Sequence, residues 1–274
     1  MPEFETVHGI LYYETLGGTN GSHDTEPAWL TLLHNFMSTG QSAWGIVADT
    51  LSDQYRILLP DLPGHGQSVG RSPAFQHLEM ARQIANLMHS IGADSGHLAG
   101  ASAGGIVAEL MVEHELIAPS TLTLVSSTYS VDSDTTGVKT GVRPEQFRAG
   151  ERWLDATARL HDPYRYEGYF EDVLLNRFQR LEPSWVIDLQ LEDLADWAMP
   201  VCLVHGDEDE FFPVTIAEQM AEALPDAELH VVADQGHSLL FERPARVAAI
   251  LDDFLARHPV VTGGQGMTTS SRTN

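Results

Sequence analysis

The segment His97-Leu-Ala-Gly-Ala-Ser102-Ala-Gly-Gly-Ile106 decides the fold of this chain. Its first five residues are a short apolar run of strand length, and residues 104–116 have helical spacing. Between them lies the motif G-x-S-x-G, formed by residues 100–104. The small residues around Ser102 let a strand and a helix approach closely, so that a sharp turn lifts the serine hydroxyl above the sheet. The segment therefore predicts a strand, a tight turn that carries a serine, and a helix.

Apolar runs of strand length alternate with stretches of helical periodicity along most of the remaining chain. Strands that are apolar throughout and separated by helices indicate a mainly parallel sheet covered by helices on both faces. Residues 4–8 and 10–16 are close enough to form an antiparallel hairpin at the edge of this eight-stranded sheet. The other predicted strands are 29–34, 55–61, 97–101, 121–125, 201–205 and 229–232. The predicted helices are 41–52, 73–91, 104–116, 214–224 and 243–258.

The alternation stops after the sixth predicted strand, between residues 130 and 197. This stretch is helix-prone and rich in charged and aromatic residues, which predicts a helical cap inserted over one end of the sheet. The expected core then consists of residues 1–129 and 198–259. Residues 260–274 are rich in Gly, Thr and Ser without periodicity, and we expect a disordered tail there.

The chain of 274 residues is strongly acidic, with 15 Lys and Arg against 39 Asp and Glu and a net charge of −24. Nucleic acids and anionic membranes bind cationic faces, so neither partner is expected, and a small-molecule substrate is. An anionic substrate would need a local arginine. The candidates in the predicted cap are Arg143, Arg148, Arg152, Arg159, Arg165, Arg177 and Arg180.

Several sequence features bear on the compartment. The first residues lack a basic segment followed by an apolar run, and no stretch approaches the roughly 18 apolar residues of a membrane span. The single cysteine, Cys202, excludes an internal disulfide, and its apolar surroundings indicate a core thiol. We therefore expect a soluble, cytoplasmic protein, with monomer and homodimer both open.

Two polar segments downstream of Ser102 could activate its hydroxyl. A serine is a poor nucleophile until a base takes its proton, and the base needs an acid that orients it. Gly206-Asp-Glu-Asp-Glu-Phe-Phe-Pro213 and Gly236-His237 each follow a predicted strand. Ligand sites of open α/β sheets form at the carboxyl ends of strands, so we expect these segments and Ser102 to meet there.

With its Ser, Asp and His in this order, the chain resembles the α/β-hydrolase-fold superfamily whose members carry a helical cap. The resemblance covers residues 4–258. Four motifs match: G-x-S-x-G at 100–104, G-x-x-D-x-x-x-P at 206–213, Gly-His at 236–237, and the structural turn D-x-P-G-x-G-x-S at 61–68. The resemblance implies an α/β-hydrolase fold with Ser102 as nucleophile, Asp209 as acid and His237 as base. Asp207, two residues early for the motif, is the alternative acid.

The resemblance also implies two backbone N–H donors for an oxyanion, one from Ala103 and one from the loop after strand 29–34. That loop reads His34-Asn-Phe-Met37 where relatives often have His-Gly-x-Pro, so the second donor is expected to be Phe36. Asn35 replaces the glycine, and asparagine tolerates left-handed backbone angles. We expect a substrate pocket beneath the cap, formed by Met37, Trp153, Tyr169, Phe170, Phe211, Phe212 and Ser238.

Other polar residues receive structural interpretations. His34, His65 and His205 lie beside motif turns and are expected to pack or to bind loops. The carboxylates of residues 207–210 are interpreted as a solvated turn, so no metal site is expected. The sequence has neither a dinucleotide-binding glycine fingerprint nor a phosphate loop, and no organic cofactor is expected.

This constellation predicts a serine hydrolase that cleaves an ester, thioester or lactone of a small to medium apolar acyl compound through an acyl-enzyme on Ser102. Relatives with the same triad catalyse other reactions, because a fold does not determine a reaction. The alternatives are a lyase, in which His237 removes a substrate proton and a leaving group is eliminated, and a hydrolase of carbon–carbon bonds. A catalytically silent receptor for a small apolar ligand is a further alternative.

Overall fold

A computed structural model describes residues 2–18, 26–69, 76–138, 150–180 and 183–260. Its centre is an eight-stranded sheet in the order β1-β2-β4-β3-β5-β6-β7-β8. The hairpin of β1 and β2 is antiparallel, β2 pairs antiparallel with β4, and the other pairings are parallel. The strands are β1 (Glu3–Thr6), β2 (Gly9–Gly17), β3 (Trp29–Leu33), β4 (Arg56–Pro60), β5 (His97–Ala101), β6 (Thr121–Val125), β7 (Val201–Gly206) and β8 (Ala227–Val232).

Helices cover both faces of the sheet, which confirms the predicted fold class. Their bounds are α1 (Gly40–Leu51), α2 (His77–Ile91), α3 (Ala103–Glu113), α4 (Ser133–Thr136), α5 (Gly150–His161), α6 (Asn176–Phe178), α7 (Val214–Ala223), α8 (Leu239–Glu242) and α9 (Pro244–Arg257). Within the part of the chain that the structure describes, no helix combines the length and the apolar character needed to cross a lipid bilayer.

Two apolar layers hold the helices on the sheet. One contains side chains of α2, α3 and α7, and the other contains those of α1, α8 and α9. Successive strand residues point to opposite faces, so Leu98 packs in the first layer and Ala99 in the second. The middle strands β5 and β6 are buried on both faces, as predicted for parallel strands that helices cover on both sides.

The insertion between β6 and β7 is termed here the cap segment; its described residues are 126–138, 150–180 and 183–200. These described residues contain α4, α5 and α6, three short 3₁₀ turns and one π-helix at Phe170–Leu175. An antiparallel bridge between Ser130 and Asp188 joins the two ends of the cap segment. Of the predicted tail, only Val260 lies within the described residues. Arg143, Arg148 and the side chain of Arg152 also lie outside them.

The D-x-P-G-x-G-x-S turn braces the core. The buried carboxylate of Asp61 accepts hydrogen bonds from the N–H groups of Gly40 and Gln67, each at 2.9 Å. The hydroxyl of Ser68 donates to the Asp61 carbonyl at 2.6 Å. Gly66 has a φ of +47°, and a Cβ there would lie 2.2 Å from the Asp61 carboxylate, so this position requires glycine.

The same turn anchors the cap segment. The hydroxyl of Tyr169 donates to the Gly64 carbonyl at 2.8 Å, and Nδ1 of His161 accepts from the Gly66 N–H at 2.8 Å. The guanidinium of Arg165 also donates to a carbonyl of this turn. The cap segment is thereby held over the carboxyl edge of the sheet.

Candidate active site

Ser102 lies at the tip of a strained turn between β5 and α3. Its φ of +49° and ψ of −116° are rare for a residue other than glycine. A Cβ on Gly100 would lie 2.3 Å from the Gly104 carbonyl oxygen, and one on Gly104 would lie 2.2 Å from that of Leu33. Both glycines of the motif are therefore required by close approach of backbone, and this packing holds the serine at the carboxyl edge of the sheet.

Ser102, His237 and Asp209 form one hydrogen-bonded series. The Oγ of Ser102 lies 3.0 Å from Nε2 of His237, and Nδ1 of His237 lies 2.9 Å and 3.1 Å from the two carboxylate oxygens of Asp209. A carboxylate only accepts, so the Nδ1 proton of His237 donates to Asp209 and Nε2 is left to accept from the serine hydroxyl. This arrangement can move a proton from Ser102 to His237.

Asp209 is held in place from several sides. One of its oxygens accepts from the N–H groups of Phe211 and Phe212, each at 2.9 Å. The ring of His205 donates to the Phe212 carbonyl at 2.8 Å and lies 3.4 Å from the second oxygen of Asp209. Asp207 is exposed instead, and its carboxylate accepts from the Gln235 N–H at 3.4 Å. The structure thus brings Asp209 to His237. It also corrects the interpretation of a solvated turn, because of the four carboxylates at residues 207–210 only the first two are exposed.

Burial and charge oppose each other at the Asp209–His237 pair. Burial is the largest influence on Asp209 and acts to raise its pKa, but the charge and hydrogen bond of His237 outweigh it and the pKa lies below the ordinary value. Burial acts to lower the pKa of His237, yet the Asp209 carboxylate and, less strongly, Glu210 bring that pKa above its ordinary 6.5. Asp209 is therefore suited to remain ionised and to stabilise a protonated His237.

The residues that carry the two expected oxyanion donors lie beside Ser102: Ala103 follows it in the chain, and Phe36 lines the same cavity. Ala103 begins α3, so its N–H is one of the helix-terminal donors that have no intrahelical partner. Phe36 is buried on the cavity wall in the loop after β3. In this loop Met37, with a φ of +65°, takes the left-handed conformation, and Asn35 does not. The hydroxyl of Ser38 lies 2.8 Å from the side-chain oxygen of Asn35 and 2.9 Å from its carbonyl oxygen, and these contacts tie Asn35 into a turn.

A cavity of about 60 Å³ opens beside Ser102 and His237. Of the seven predicted pocket residues, the structure places Met37, Trp153, Phe211 and Ser238 on its wall. It places the other three elsewhere. The predicted pocket lacked further lining residues, namely Asn35, Ala101, Val125, Ser126, Phe178, Leu240 and Phe241.

The three displaced residues are held by other contacts. The hydroxyl of Tyr169 is bound to Gly64, and the Phe170 ring packs between Trp153 and His161, with centroids 6.2 Å from each. The Phe212 ring packs edge-on against His237 at 5.0 Å. Among the missed residues, Ser126 directly follows β6, so the rule that sites form at the carboxyl ends of strands could have found it.

The remaining candidate histidines and the cysteine have structural contacts. Nε2 of His34 accepts from the Leu62 N–H at 2.8 Å, and burial lowers the pKa of His34 to about 3. His65 is fully buried beside the Pro63 carbonyl. Burial raises the pKa of the Cys202 thiol to about 12. Among the described residues, no three His, Cys, Asp or Glu side chains are grouped to hold a metal ion.

None of the described arginine side chains of the cap segment lines the cavity beside Ser102. The guanidinium of Arg177 stacks 4.0 Å from the Trp185 ring, and that of Arg165 lies 5.0 Å from the Tyr169 ring. Arg159 lines a separate cleft beside Tyr12 and Tyr164, and Arg180 is exposed.

Comparison with known proteins agrees with this fold. Residues 7–250 match the model of the alpha/beta hydrolase family, and the chain therefore belongs to that family and is a hydrolase. It is 27% identical to an uncharacterized hydrolase, YugF, of Bacillus subtilis strain 168, covering 91% of this chain and 96% of that protein. It is 25% identical to the 2-hydroxymuconate semialdehyde hydrolase of Pseudomonas sp. strain CF600, covering 85% of this chain and 89% of that protein. The esterase RhEst1 from Rhodococcus sp. ECU1013 has a similar structure, with a TM-score of 0.71 at 21% identity, covering 94% of this chain and all 100% of that one.

Proposed function

We propose that this hydrolase cleaves a carboxylic ester, thioester or lactone of a small to medium apolar acyl compound. The observation that carries the proposal is the unbroken hydrogen-bonded series from Asp209 through His237 to Ser102. It ends at the wall of a cavity formed largely by aromatic and aliphatic side chains. Such a wall suits an apolar acyl group, because burial of apolar surface is favourable.

The first half of the reaction forms an acyl-enzyme. Nε2 of His237 takes the hydroxyl proton as Oγ of Ser102 attacks the carbonyl carbon of the substrate. The negative charge that develops on the carbonyl oxygen is stabilised by the N–H groups of Phe36 and Ala103. The tetrahedral intermediate then collapses, and His237 gives its proton to the leaving alcohol or thiol. Asp209 stabilises the imidazolium that exists between these two proton transfers.

The second half repeats the chemistry with water. His237 removes a proton from a water molecule, whose oxygen attacks the acyl carbon and breaks the bond to Ser102. The proton returns to the serine oxygen and the carboxylic acid leaves, so that no atom or charge is left on the enzyme.

Release of p-nitrophenol from p-nitrophenyl esters of increasing acyl length tests the proposal. We expect turnover by the wild type and a fall in kcat of at least about 10⁴-fold in Ser102→Ala. Ser90→Ala, at an exposed serine of α2, is the matched control and should keep wild-type activity. Labelling by a fluorophosphonate reports whether Ser102 is activated, and this readout does not depend on the choice of ester substrate.

The other outcomes distinguish the alternatives. Labelling of Ser102 without ester turnover would contradict ester hydrolysis and favour elimination or carbon–carbon cleavage. The similarity to a 2-hydroxymuconate semialdehyde hydrolase makes a carbon–carbon hydrolase the second candidate. If Ser102 were not labelled and no ester were turned over, the result would favour a ligand receptor.

A further inference from the structure

The cavity beside Ser102 is too small to enclose a medium-sized substrate. Its volume is about 60 Å³, whereas pockets that bury a whole small ligand measure roughly 300–1,000 Å³. A substrate with more than a short chain must therefore continue beyond this cavity. The route depends on which walls of the cavity face another void.

Leu240 and Phe241 are such a wall. Both line the cavity beside Ser102, and both also line a groove of about 200 Å³ between α1 and α8. Leu240 is buried, whereas Phe241 is 45% exposed. The two voids thus share Leu240 and Phe241 as lining residues, and Phe241 is the more exposed of the two.

The groove presents apolar side chains to water from both of its walls. Ile46 of α1 is 61% exposed, and Phe241 of α8, which lines the same groove, is 45% exposed. Among the described residues that line the groove, Asp49 alone carries a charge. Covering these exposed surfaces with an apolar chain would be favourable, because water is released from both.

We propose that this groove, lined by Ile46 and Phe241, is a subsite for an unbranched aliphatic chain of the substrate. The chain leaves the cavity past Phe241 and lies along α1. This inference rests on the proposed ester hydrolysis and deepens it, because it makes the preferred substrate a medium-chain aliphatic ester. Such a chain belongs to either the acyl or the alcohol part of the ester, and the test separates the two.

The experiment measures kcat/KM for p-nitrophenyl esters from acetate to octanoate, and for alkyl acetates from methyl to octyl. The test variant is Ile46→Glu, at a residue that lines the groove and not the cavity. The matched control is Val231→Glu, which adds the same charge at an exposed apolar residue of β8, 46% exposed. Ile46→Leu preserves the apolar surface and should restore the wild-type profile.

Each of these two series of esters of increasing chain length is called a ladder here. We expect kcat/KM of the wild type to rise with chain length in one ladder, by up to about fourfold for each methylene that enters the groove. In Ile46→Glu the acetate value should stay unchanged, while the longest ester of that ladder should lose about tenfold. The ladder that responds identifies the acyl or the alcohol part. Parallel profiles for Ile46→Glu and Val231→Glu in both ladders would overturn the subsite and leave ester hydrolysis intact. Absence of Ser102-dependent turnover of even the acetate would instead overturn the proposed function, and the subsite with it.

Discussion

His237 lies between two carboxylates. Its Nδ1 proton is bound by Asp209, and its backbone N–H donates to the carboxylate of Glu210 at 2.8 Å. Burial favours the neutral ring, but these negative charges favour the imidazolium, and the pKa lies above 6.5. Glu210 therefore acts on the proposed base through its charge without contacting the ring nitrogens.

This arrangement predicts the pH dependence of ester hydrolysis. The neutral imidazole is the base, so kcat/KM should rise with pH through a pKa above 6.5. Glu210→Gln removes one negative charge, which lowers the pKa of His237 and moves this rise to lower pH with the plateau preserved. The measurement is a pH–rate profile between about pH 5 and 9. Asp207→Asn, at an exposed carboxylate of the same turn, is the control, and an equal displacement in both variants would contradict the specific role of Glu210.

At the scale of elements, the junction of β5 and α3 sets the position of Ser102. The N–H of Ser102 donates to the Val125 carbonyl of β6, and its carbonyl accepts from Ile106, both at 2.9 Å. Gly104 brings the first turn of α3 against the end of β3. The nucleophile is thus held by three strands and a helix together.

Gly104→Ala tests this junction. The added methyl would lie 2.2 Å from the Leu33 carbonyl oxygen, so the backbone must move and the free energy of unfolding should fall by about 3 kcal/mol. Displacement of Ser102 should also lower kcat/KM by about 10²-fold. Urea unfolding and ester kinetics measure the two effects.

Gly92→Ala is the matched variant. Gly92 has a φ of +72° but no neighbouring atom within 4 Å of an added Cβ. The free energy of unfolding of Gly92→Ala should fall by only about 1 kcal/mol, because alanine is strained in the left-handed conformation, and its activity should stay unchanged. Equal losses of stability in the two alanine variants would contradict the close approach of Gly104 to the end of β3, because Gly104 lies in α3 with no positive φ.

At the scale of the whole molecule, buried neutral histidines connect the layers and the cap segment. Burial lowers the pKa of His34 to about 3, that of His77, His97 and His161 to about 4, and that of His65 well below its ordinary value. Between about pH 6.5 and 4 these rings are protonated when the chain unfolds and neutral when it is folded. Protonation therefore favours the unfolded state in this range.

The free energy of unfolding should consequently fall as the pH falls from about 6.5 towards 4. The buried carboxyls of Asp61 and Glu109, whose pKa values are raised by burial, act in the opposite direction but are fewer. In His161→Gln, whose amide oxygen can still accept from Gly66, the fall should be shallower by up to about 1.4 kcal/mol per pH unit. Urea unfolding at several pH values measures both slopes. An unchanged slope in this variant would mean that His161 is already protonated in the folded protein.

Local sequence determined much of this architecture. The predicted bounds of β5 and β6 coincide with the observed ones, because both strands are short, apolar and ended by turn residues. The family resemblance carried by the motif residues implied Ser102, Asp209 and His237 while leaving Asp207 open, and the structure brings the first three together. A parallel sheet collects the carboxyl ends of its strands at one edge, so residues there meet whatever the details of packing.

Only the tertiary structure decided which aromatic rings face Ser102. Tyr169, Phe170 and Phe178 are similar residues in one helical stretch, yet Phe178 alone among them lines the cavity. Their orientation follows from how the cap segment docks on the core, through bonds such as that of Tyr169 to Gly64, 105 residues apart in sequence. A helical periodicity specifies which residues share a face, but the partner of that face depends on contacts between distant parts of the chain, which no local pattern contains.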